Sequence, residues 1–386
     1  MRYTTLDSWR GICALLVVLH HAEGGGAIGS SELVRGAFLF VDFFFVLSGF
    51  VLCEGYLSRF DDATGYLGFL LRRLGRLWPL HAALMVAFLC LELAKLAVTR
   101  VVGMQFTNLP FTGTLEPSAF LPGLLLLHSM GFLSGLTWNI PSWSIAAEFW
   151  TYAVFGLVVW RLRTRVALAA ALIAGAATLL LVLRSDALMN VSYDLGFVRC
   201  LYGFFGGVLL HRCSRGLRQR GPLFGTGVEV VAVTAGGVFV ARCHDTTLAY
   251  VSPLVFALVI LVFACSGGGL SRLLSAPGFV RLGTWSYSIY LTHVFLLGLV
   301  SMGARLLGRL AGARDGGPVW DRFLAAAGAS DWSVLAFALL VVAVSSQTYR
   351  LIEVPAQQAV NRRVAALVGV GARGGRAPRA DRSSQQ

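Results

Sequence analysis

The sequence predicts an all-α, polytopic membrane protein with about ten transmembrane helices, and three observations lead to this prediction. Hydrophobic residues make up 56% of the chain and charged residues only 13%, whereas soluble domains carry about 25% charged residues. The apolar residues gather into runs close to the ~20 residues that cross a bilayer. Most arginines fall in the short gaps between these runs, as in proteins whose orientation is set by positive charge.

Ten apolar runs are interpreted as spans. They lie near residues 6–23, 37–57, 77–98, 143–161, 166–184, 195–211, 226–242, 249–265, 284–305 and 332–353. The first run is interrupted by Arg10 and ends in His20 and His21, so we interpret it as a span and not as a cleavable signal peptide. The shorter segment 116–134 contains Pro117 and Pro122, and short, broken apolar segments favour a re-entrant course.

The arginines predict the orientation. If 116–134 does not cross, both termini and the gaps after every second span lie on one side, and that side is richer in arginine. It holds Arg2, Arg59, Arg72, Arg73, Arg76, Arg161, Arg163, Arg165, Arg212, Arg215, Arg218, Arg220, Arg272, Arg281 and the basic tail. The opposite side holds Arg35, Arg100, Arg184, Arg242 and the group from Arg305 to Arg322. The positive-inside rule makes the first side cytoplasmic.

Residues 1–360 are predicted to form one transmembrane domain, and the Gly-, Arg-, Pro- and Ser-rich residues 361–386 a disordered cytoplasmic tail. The net charge of +13 comes almost entirely from arginine, because Lys95 is the only lysine. Since these arginines flank spans, nucleic-acid binding is not expected. The seven cysteines form no CxxC pair, so they predict neither a disulfide framework nor a metal site.

Ionisable residues inside spans are costly and therefore indicate candidate sites. Arg10 and His21 are eleven residues apart, which places them on one helix face and ~16 Å apart along the axis. A histidine can accept a proton from a hydroxyl near neutral pH and so suits a general base. His20 points away from this face, and a packing role is favoured for it. Asp42 lies in the second run.

Three further segments carry polar residues. The cluster RRLGRLWP contains Arg73 and Arg76 at i,i+3 spacing, which suits one anion such as a phosphate, although a plain membrane anchor fits the spacing better. Ser144 and Glu148 share a helix face in TWNIPSWSIAAEFW. WSYSIYLTHVFLL is polar in its first half and carries Tyr287 and His293. By these features alone, an enzyme and a transporter fit equally well.

The motifs together resemble membrane-bound acyltransferase family 3, integral membrane O-acyltransferases that modify bacterial surface glycans and some small molecules. The matching segments, in order, are LDSWRGICALLVVLHH, VDFFFVLSGF, RRLGRLWP, PSWSIAAEFWTY, YSIYLTH and IEVP. Ser8 stands where the family often has glycine, and the pair His20–His21 is not general. Some members carry a fused extracytoplasmic hydrolase-like domain, and no such segment follows the tenth run here.

The resemblance implies transfer of an acyl group, commonly acetyl, from acyl-coenzyme A as a co-substrate, with no tightly bound cofactor. Arg73, Arg76 and Arg10 would bind the donor, and His21 would act as general base. Glu148 or Asp42 would orient His21, while His293, Ser144 and Tyr287 would serve the acceptor side. Ser48, Ser144 and Tyr287 are the nucleophiles to consider for a route through an acyl-enzyme.

The implied acceptor is a surface or exported polysaccharide or its lipid-linked precursor, and the implied location is the bacterial cytoplasmic membrane. Polysaccharide-assembly proteins are compatible partners. Three alternatives remain open. A flippase for a lipid-linked sugar would usually show internal repeats, and none is evident. An acyltransferase for a small lipid or metabolite keeps the chemistry but changes the acceptor. A non-catalytic scaffold would tolerate loss of His21.

Overall fold

The computed structural model describes residues 3–22, 26–56, 62–103, 106, 109–310 and 330–374. These residues form a helical bundle without a β-strand, so the all-α prediction is confirmed. The long helices are α1 (Thr4–His21), α2 (Phe40–Tyr56), α3 (Ala63–Val102), α4 (Trp143–Leu162), α5 (Val166–Arg184), α6 (Gly196–Cys213), α7 (Thr226–Cys243), α8 (Ser252–Ala264), α9 (Pro277–Leu310), α10 (Asp331–Thr348) and α11 (Val354–Gly374). Helices α1 to α10 coincide in order with the ten predicted spans.

Seven segments of the described chain are both long and apolar enough to cross a bilayer. One of them, Ile140–Arg184, contains the two helices α4 and α5, and another, Asp331–Leu367, runs from α10 into α11. Helices α1 and α6 are not among the seven. Both carry polar groups within the bundle, including Arg10 on α1 and Arg199 on α6. The chain is therefore a polytopic membrane protein in which two helices with polar groups, α1 and α6, pack inside the bundle.

Helix α3 begins well before the predicted span 77–98. The Asp62 side chain caps its first turn by accepting a hydrogen bond from the Gly65 N–H at 2.7 Å. Gly103, at φ 67°, ends the helix in the left-handed region that favours glycine. Pro79 lies inside the helix. Because the helix is this long, Arg73 and Arg76 lie on its regular surface and not in a connecting loop.

The segment 116–134 does not form a spanning helix. It contains a 3-10 turn (Pro117–Ala119), one short helix (Phe120–Leu124) and turns. Indole and imidazole groups of the neighbouring helices hold its carbonyls: Trp78 binds Leu124, His81 binds Gly123, and Trp150 binds Leu126. Its backbone groups are thus satisfied inside the protein, which is what permits irregular chain at membrane depth.

Helices α1 and α9 approach very closely because glycines face each other. A Cβ added at Gly283 would lie 2.0 Å from the Asp7 carbonyl oxygen, and one added at Gly11 would lie 2.7 Å from the Gly283 nitrogen. Small residues at such crossings let helix backbones approach each other. The two helices run in the same direction, so their later residues His21 and His293 also meet. We call the two ends of the bundle the Tyr3 end and the His21 end, after the ends of α1.

The C-terminal region differs from the predicted disordered tail. Helix α11 extends to Gly374, so residues 361–374 are helical, and residues 375–386 lie outside the described part. The helix packs on α3, where Val360 fits against Gly75. Val364 is also buried one turn later, so an i,i+4 apolar spacing extends the helix past the predicted boundary.

Some of the arginines that predict the orientation lie outside the described residues. They are Arg2, Arg59 and the arginines within 311–329.

Candidate active site

A cavity of about 230 Å³ opens at the Tyr3 end between α1, α2, α3, α4 and α9. Its polar lining consists of Tyr3, Asp7, Arg10, Ser48, Arg73, Arg76, Glu148, Tyr152 and Tyr287. We call it the arginine cavity. The three arginines proposed from the sequence for one ligand therefore do line one cavity, although they come from two helices.

Arg73 is held by aromatic groups. Arg73 Nη2 donates a hydrogen bond to the Tyr56 hydroxyl at 3.1 Å. Its guanidinium carbon also lies 5.2 Å from the Tyr56 ring centroid and 5.8 Å from that of Tyr152, distances typical of a cation–π contact. Arg76 follows one turn later on α3, and Arg10 lines the cavity from α1. Fixed guanidinium groups of this kind suit phosphate oxygens, which they can bind through paired N–H donors.

Glu148 supplies the carboxylate of the arginine cavity. The Ser48 hydroxyl of α2 donates to its Oε1 at 2.5 Å, and the Tyr152 hydroxyl, one turn along α4, donates to the same oxygen. Glu148 and Arg10 line this cavity together. A carboxylate in a membrane bundle requires such donors and a nearby cation, and both are present here.

A second, smaller cavity of about 40 Å³ continues inward from the first. Arg10, Ser48, Glu148 and Tyr287 line both. Its inner wall includes Tyr290, whose hydroxyl lies 2.9 Å from Ser144 Oγ. This volume exceeds the roughly 10–15 Å³ that one water requires. It makes a narrow, mostly apolar passage from the arginine cavity toward the middle of the bundle.

His21 and His293 meet beyond this passage. Their ring centroids are 4.9 Å apart, and the Tyr290 ring lies 6.1 Å from His293. His21 Nδ1 is 2.9 Å from the Val17 carbonyl oxygen. Since a carbonyl only accepts, Nδ1 carries the proton and Nε2 is the basic nitrogen of the neutral ring. His21 thus has the tautomer that a general base needs.

His20 makes a different contact. Its Nδ1 binds the Val34 carbonyl oxygen at 2.9 Å, which joins the end of α1 to the segment before α2. This is the packing role expected for it.

Asp42 does not serve His21, and the predicted orienting role is corrected. Both of its carboxylate oxygens accept hydrogen bonds from Arg199, at 2.8 Å from Nε and 3.1 Å from Nη2. The Ser252 hydroxyl adds a third at 2.8 Å. Asp42 is fully buried and Arg199 is 1% exposed. This group ties α2, α6 and α8 together and is structural.

Glu148 does not orient His21 either. It faces Arg10 in the arginine cavity, and Arg10 is ~16 Å along α1 from His21. The structure thus assigns Glu148 to the Tyr3 end of the site and His21 to the deeper part. Tyr287 lies between them, where its hydroxyl donates to the Leu77 carbonyl oxygen and joins α9 to α3.

Two kinds of residue escaped the sequence reasoning. Arg199 is a single charged residue in an apolar run. A charge in that position could have marked it as the partner of a buried carboxylate. His81 and His128 stack in parallel, with centroids 5.9 Å apart, and His128 Nε2 lies 2.9 Å from Ser142 Oγ. This pair fastens the re-entrant segment to α3 and to the start of α4.

A helical membrane bundle that holds an arginine-lined cavity and, deeper inside, a pair of histidines suits an integral membrane group-transfer enzyme. Residues 3–346 match the family model described as an acyltransferase domain. The chain belongs to membrane-bound acyltransferase family 3.

Curated relatives agree with this family. Acyltransferase MdmB of Streptomyces mycarofaciens is 29% identical over 84% of this chain and 81% of its own length. The exopolysaccharide production protein ExoZ of Rhizobium meliloti is 28% identical over 69% of this chain and 79% of its own. Protein 2 in the picA locus of Rhizobium radiobacter is 33% identical over 40% of this chain and 81% of its own. No solved structure gives a significant match.

Proposed function

We propose that this acyltransferase moves an acetyl group from acetyl-coenzyme A to a hydroxyl of an exported polysaccharide or of its lipid-linked precursor. The similarity to an exopolysaccharide production protein supports the acceptor class. The arginine cavity supports a donor that carries phosphates. The protein then lies in the bacterial cytoplasmic membrane with the Tyr3 end in the cytoplasm, which is the arginine-rich side.

Donor binding begins at the arginine cavity. Arg73 and Arg76 bind phosphate oxygens of coenzyme A through charge-assisted hydrogen bonds. The pantetheine arm extends through the narrow passage beside Glu148 and Tyr287, because this passage leads from the arginines toward the histidines. Arg10, which lines both cavities, supports the donor where the pantetheine arm leaves the arginine cavity.

Chemistry takes place at His21. Its Nε2 accepts the proton of the acceptor hydroxyl while that oxygen attacks the thioester carbonyl. A C–O bond forms, the C–S bond breaks, and the proton passes from the imidazolium to the thiolate, which leaves as coenzyme A. His293, 4.9 Å away by ring centroids, lies beside the acceptor oxygen. This direct transfer needs no acyl-enzyme.

One observation carries the proposal: Arg73, Arg76, Arg10 and Glu148 converge on a cavity that continues inward as far as Tyr290, whose ring lies 6.1 Å from that of His293. The test is transfer of radiolabelled acetyl from acetyl-coenzyme A by sealed membrane vesicles that contain native acceptors. Inside-out vesicles should label the glycan fraction, and right-side-out vesicles should not. Transfer by neither orientation would reject the acyl-coenzyme A donor, and label confined to a small lipid would reject the acceptor class.

A further inference from the structure

A third cavity, of about 320 Å³, lies at the His21 end of the bundle. Its walls come from the second half of α3, the segments around Thr114 and Trp138, and the second half of α9. We call it the lysine cavity, because the chain's single lysine, Lys95, lines it. Its volume lies at the lower end of the roughly 300–1,000 Å³ of small-molecule sites. The mechanism above does not use it.

The lysine cavity lies directly beyond the histidine pair. Val294, Leu297 and Ser301 line it from α9, and the spacing of three and four residues places them on one face of the helix. His293 lies one turn before Leu297 on the same helix. His293 is fully buried. Among the described residues, its ring nitrogens have only poorly aligned contacts with the backbone of Ile289 and Tyr290 and no side-chain hydrogen-bond partner.

A buried imidazole with such weak hydrogen bonding is costly. It is explained if a polar ligand reaches it from the neighbouring cavity.

Lys95 is fixed in place by a buried carboxylate. Its ammonium donates to Glu92 Oε1 at 2.5 Å, and the Phe111 N–H donates to Glu92 Oε2 at 2.9 Å. The Glu92 side chain is fully buried, and that of Lys95 is 15% exposed. An ammonium has three N–H donors. One is directed to Glu92, which leaves further donor capacity on the side that faces the cavity.

The backbone beside the lysine cavity adopts conformations that ordinary residues avoid. Trp138 has φ 48° and Phe111 has φ 59°, in the left-handed region that disfavours bulky side chains. Hydrogen bonds hold Trp138 there: its N–H donates to the Thr114 carbonyl at 2.7 Å and its indole to the Glu116 carbonyl at 3.0 Å. A strained backbone conformation of this kind persists only where surrounding contacts hold it in place. Such conformations cluster at ligand-binding sites.

We infer that the lysine cavity is the acceptor site and that it binds a short saccharide. This inference rests on the proposed function and adds to it the residues that hold the acceptor. The aromatic rings of Phe88 and Trp138 offer flat apolar surfaces to the C–H face of a sugar ring. Lys95, Thr114 and Ser301 offer hydrogen-bonding groups for its hydroxyls. A few polar groups in an otherwise apolar wall are the usual design of a site that orients its ligand.

The position of the cavity gives this saccharide a route separate from the donor. Coenzyme A enters at the Tyr3 end, and the saccharide enters at the His21 end. A sugar hydroxyl that passes His293 then reaches His21 Nε2. Donor and acceptor thus meet from opposite ends of the bundle, at the histidine pair.

The first test fills the cavity without disturbing the core. Among the described residues, a Cβ at Gly298 meets only Leu91 Cδ2, at 3.8 Å, and a Cβ at Gly303 on the same helix meets nothing within 4 Å. Gly298 lines the cavity and Gly303 does not. Gly298→Leu should therefore occupy the acceptor space, and Gly303→Leu is its matched control. Both proteins are assayed in detergent, with the saccharide KM measured at saturating acetyl-coenzyme A and the acetyl-coenzyme A KM measured at a fixed, high saccharide concentration.

The probe is a set of de-acylated oligosaccharides from the producing cell's own exopolysaccharide. Gly298→Leu should raise the saccharide KM by about tenfold or more, the scale of losing roughly 1.4 kcal/mol of binding, and leave the acetyl-coenzyme A KM unchanged. Gly303→Leu should change neither. An unchanged saccharide KM in Gly298→Leu would overturn the inference while the proposed function stands. A wild type that acetylates no saccharide would reject both.

Lys95 is tested together with its partner, because Lys95→Met alone would leave a buried carboxylate without its cation. Glu92→Gln with Lys95→Met removes both charges and retains an acceptor for the Phe111 N–H. This double variant should melt near the wild-type temperature and show a saccharide KM raised about tenfold to a hundredfold, as for lost hydrogen bonds to a charged group. A normal saccharide KM in a folded double variant would remove Lys95 from the site.

Discussion

His21 on α1 and His293 on α9 face each other with their ring centroids 4.9 Å apart. Gly11 on α1 and Gly283 on α9 lie more than one helical turn before these histidines. They produce the contact because they let the two helix backbones touch. His21, the proposed base, and its neighbour are thus placed by close packing at the Tyr3 end of the same helix pair. The proposed catalytic geometry therefore depends on two glycines that lie outside the histidine pair.

Gly283→Ala is predicted to impair catalysis through this packing. The new Cβ would lie 2.0 Å from the Asp7 carbonyl oxygen, which belongs to the backbone and can move away only if the helices separate. Overpacking of this kind costs about 1–3 kcal/mol. We expect a lower melting temperature in detergent and a lower turnover number. Gly278→Ala on the same helix meets no atom within 4 Å and should behave like wild type; equal behaviour of the two variants would contradict the prediction.

Arg73→Ala with Arg76→Ala should raise the KM for acetyl-coenzyme A by about tenfold or more, since each guanidinium would lose charge-assisted hydrogen bonds to phosphate. Arg72→Ala is the matched control, because Arg72 neighbours the pair but does not line the arginine cavity. Steady-state kinetics at varied donor concentration measures the effect. A donor KM unchanged from wild type would exclude Arg73 and Arg76 from donor binding.

Glu148→Gln should lower the turnover number at least about tenfold in a protein that still folds, because a donor held beside Arg10 and Glu148 would be misplaced relative to His21. The amide keeps an oxygen for the Ser48 and Tyr152 hydroxyls but removes the negative charge beside Arg10. Comparison of turnover at matched amounts of purified protein tests this. Wild-type turnover in Glu148→Gln would show that the charge is dispensable.

Asp42 is predicted to act on stability and not on chemistry. Asp42→Leu alone leaves the buried Arg199 without its carboxylate, which costs about 3–5 kcal/mol, so the variant should fail to accumulate in membranes. Asp42→Leu with Arg199→Met removes both charges and should recover expression and much of the acetyl transfer. A well-expressed but inactive double variant would instead place Asp42 in the reaction.

The positions of the spans follow from local sequence, because lipid requires a continuous apolar run wherever a helix crosses. The same argument identified 116–134 as an interrupted segment. The arginine cavity was partly predictable, since Arg73 and Arg76 lie on one face of whatever helix contains them. That Arg10 lines the same cavity could not be predicted from the sequence, because α1 and α3 are far apart in sequence and only the fold brings them together.

The errors at Asp42 and Glu148 have one physical cause. A buried carboxylate must have a partner, but the sequence does not say which one. Asp42 takes Arg199, 157 residues away, and Glu148 takes Ser48, 100 residues away. Neither pairing leaves a periodic signal in the sequence. The sequence prediction ended α11 too early. Val360 and Val364 are spaced as on one helix face, but this spacing indicates a packed helix only when it is known that Val360 packs against Gly75 of α3.

The role of His21 as general base is tested most directly by acetyl transfer from radiolabelled acetyl-coenzyme A in inside-out vesicles at matched expression. Wild type is compared with His21→Gln and with His20→Gln, whose side chain lies next in sequence but binds the Val34 carbonyl. Label in the glycan fraction should be lost in His21→Gln and retained in His20→Gln. Transfer that persists in His21→Gln would contradict the assignment of the base.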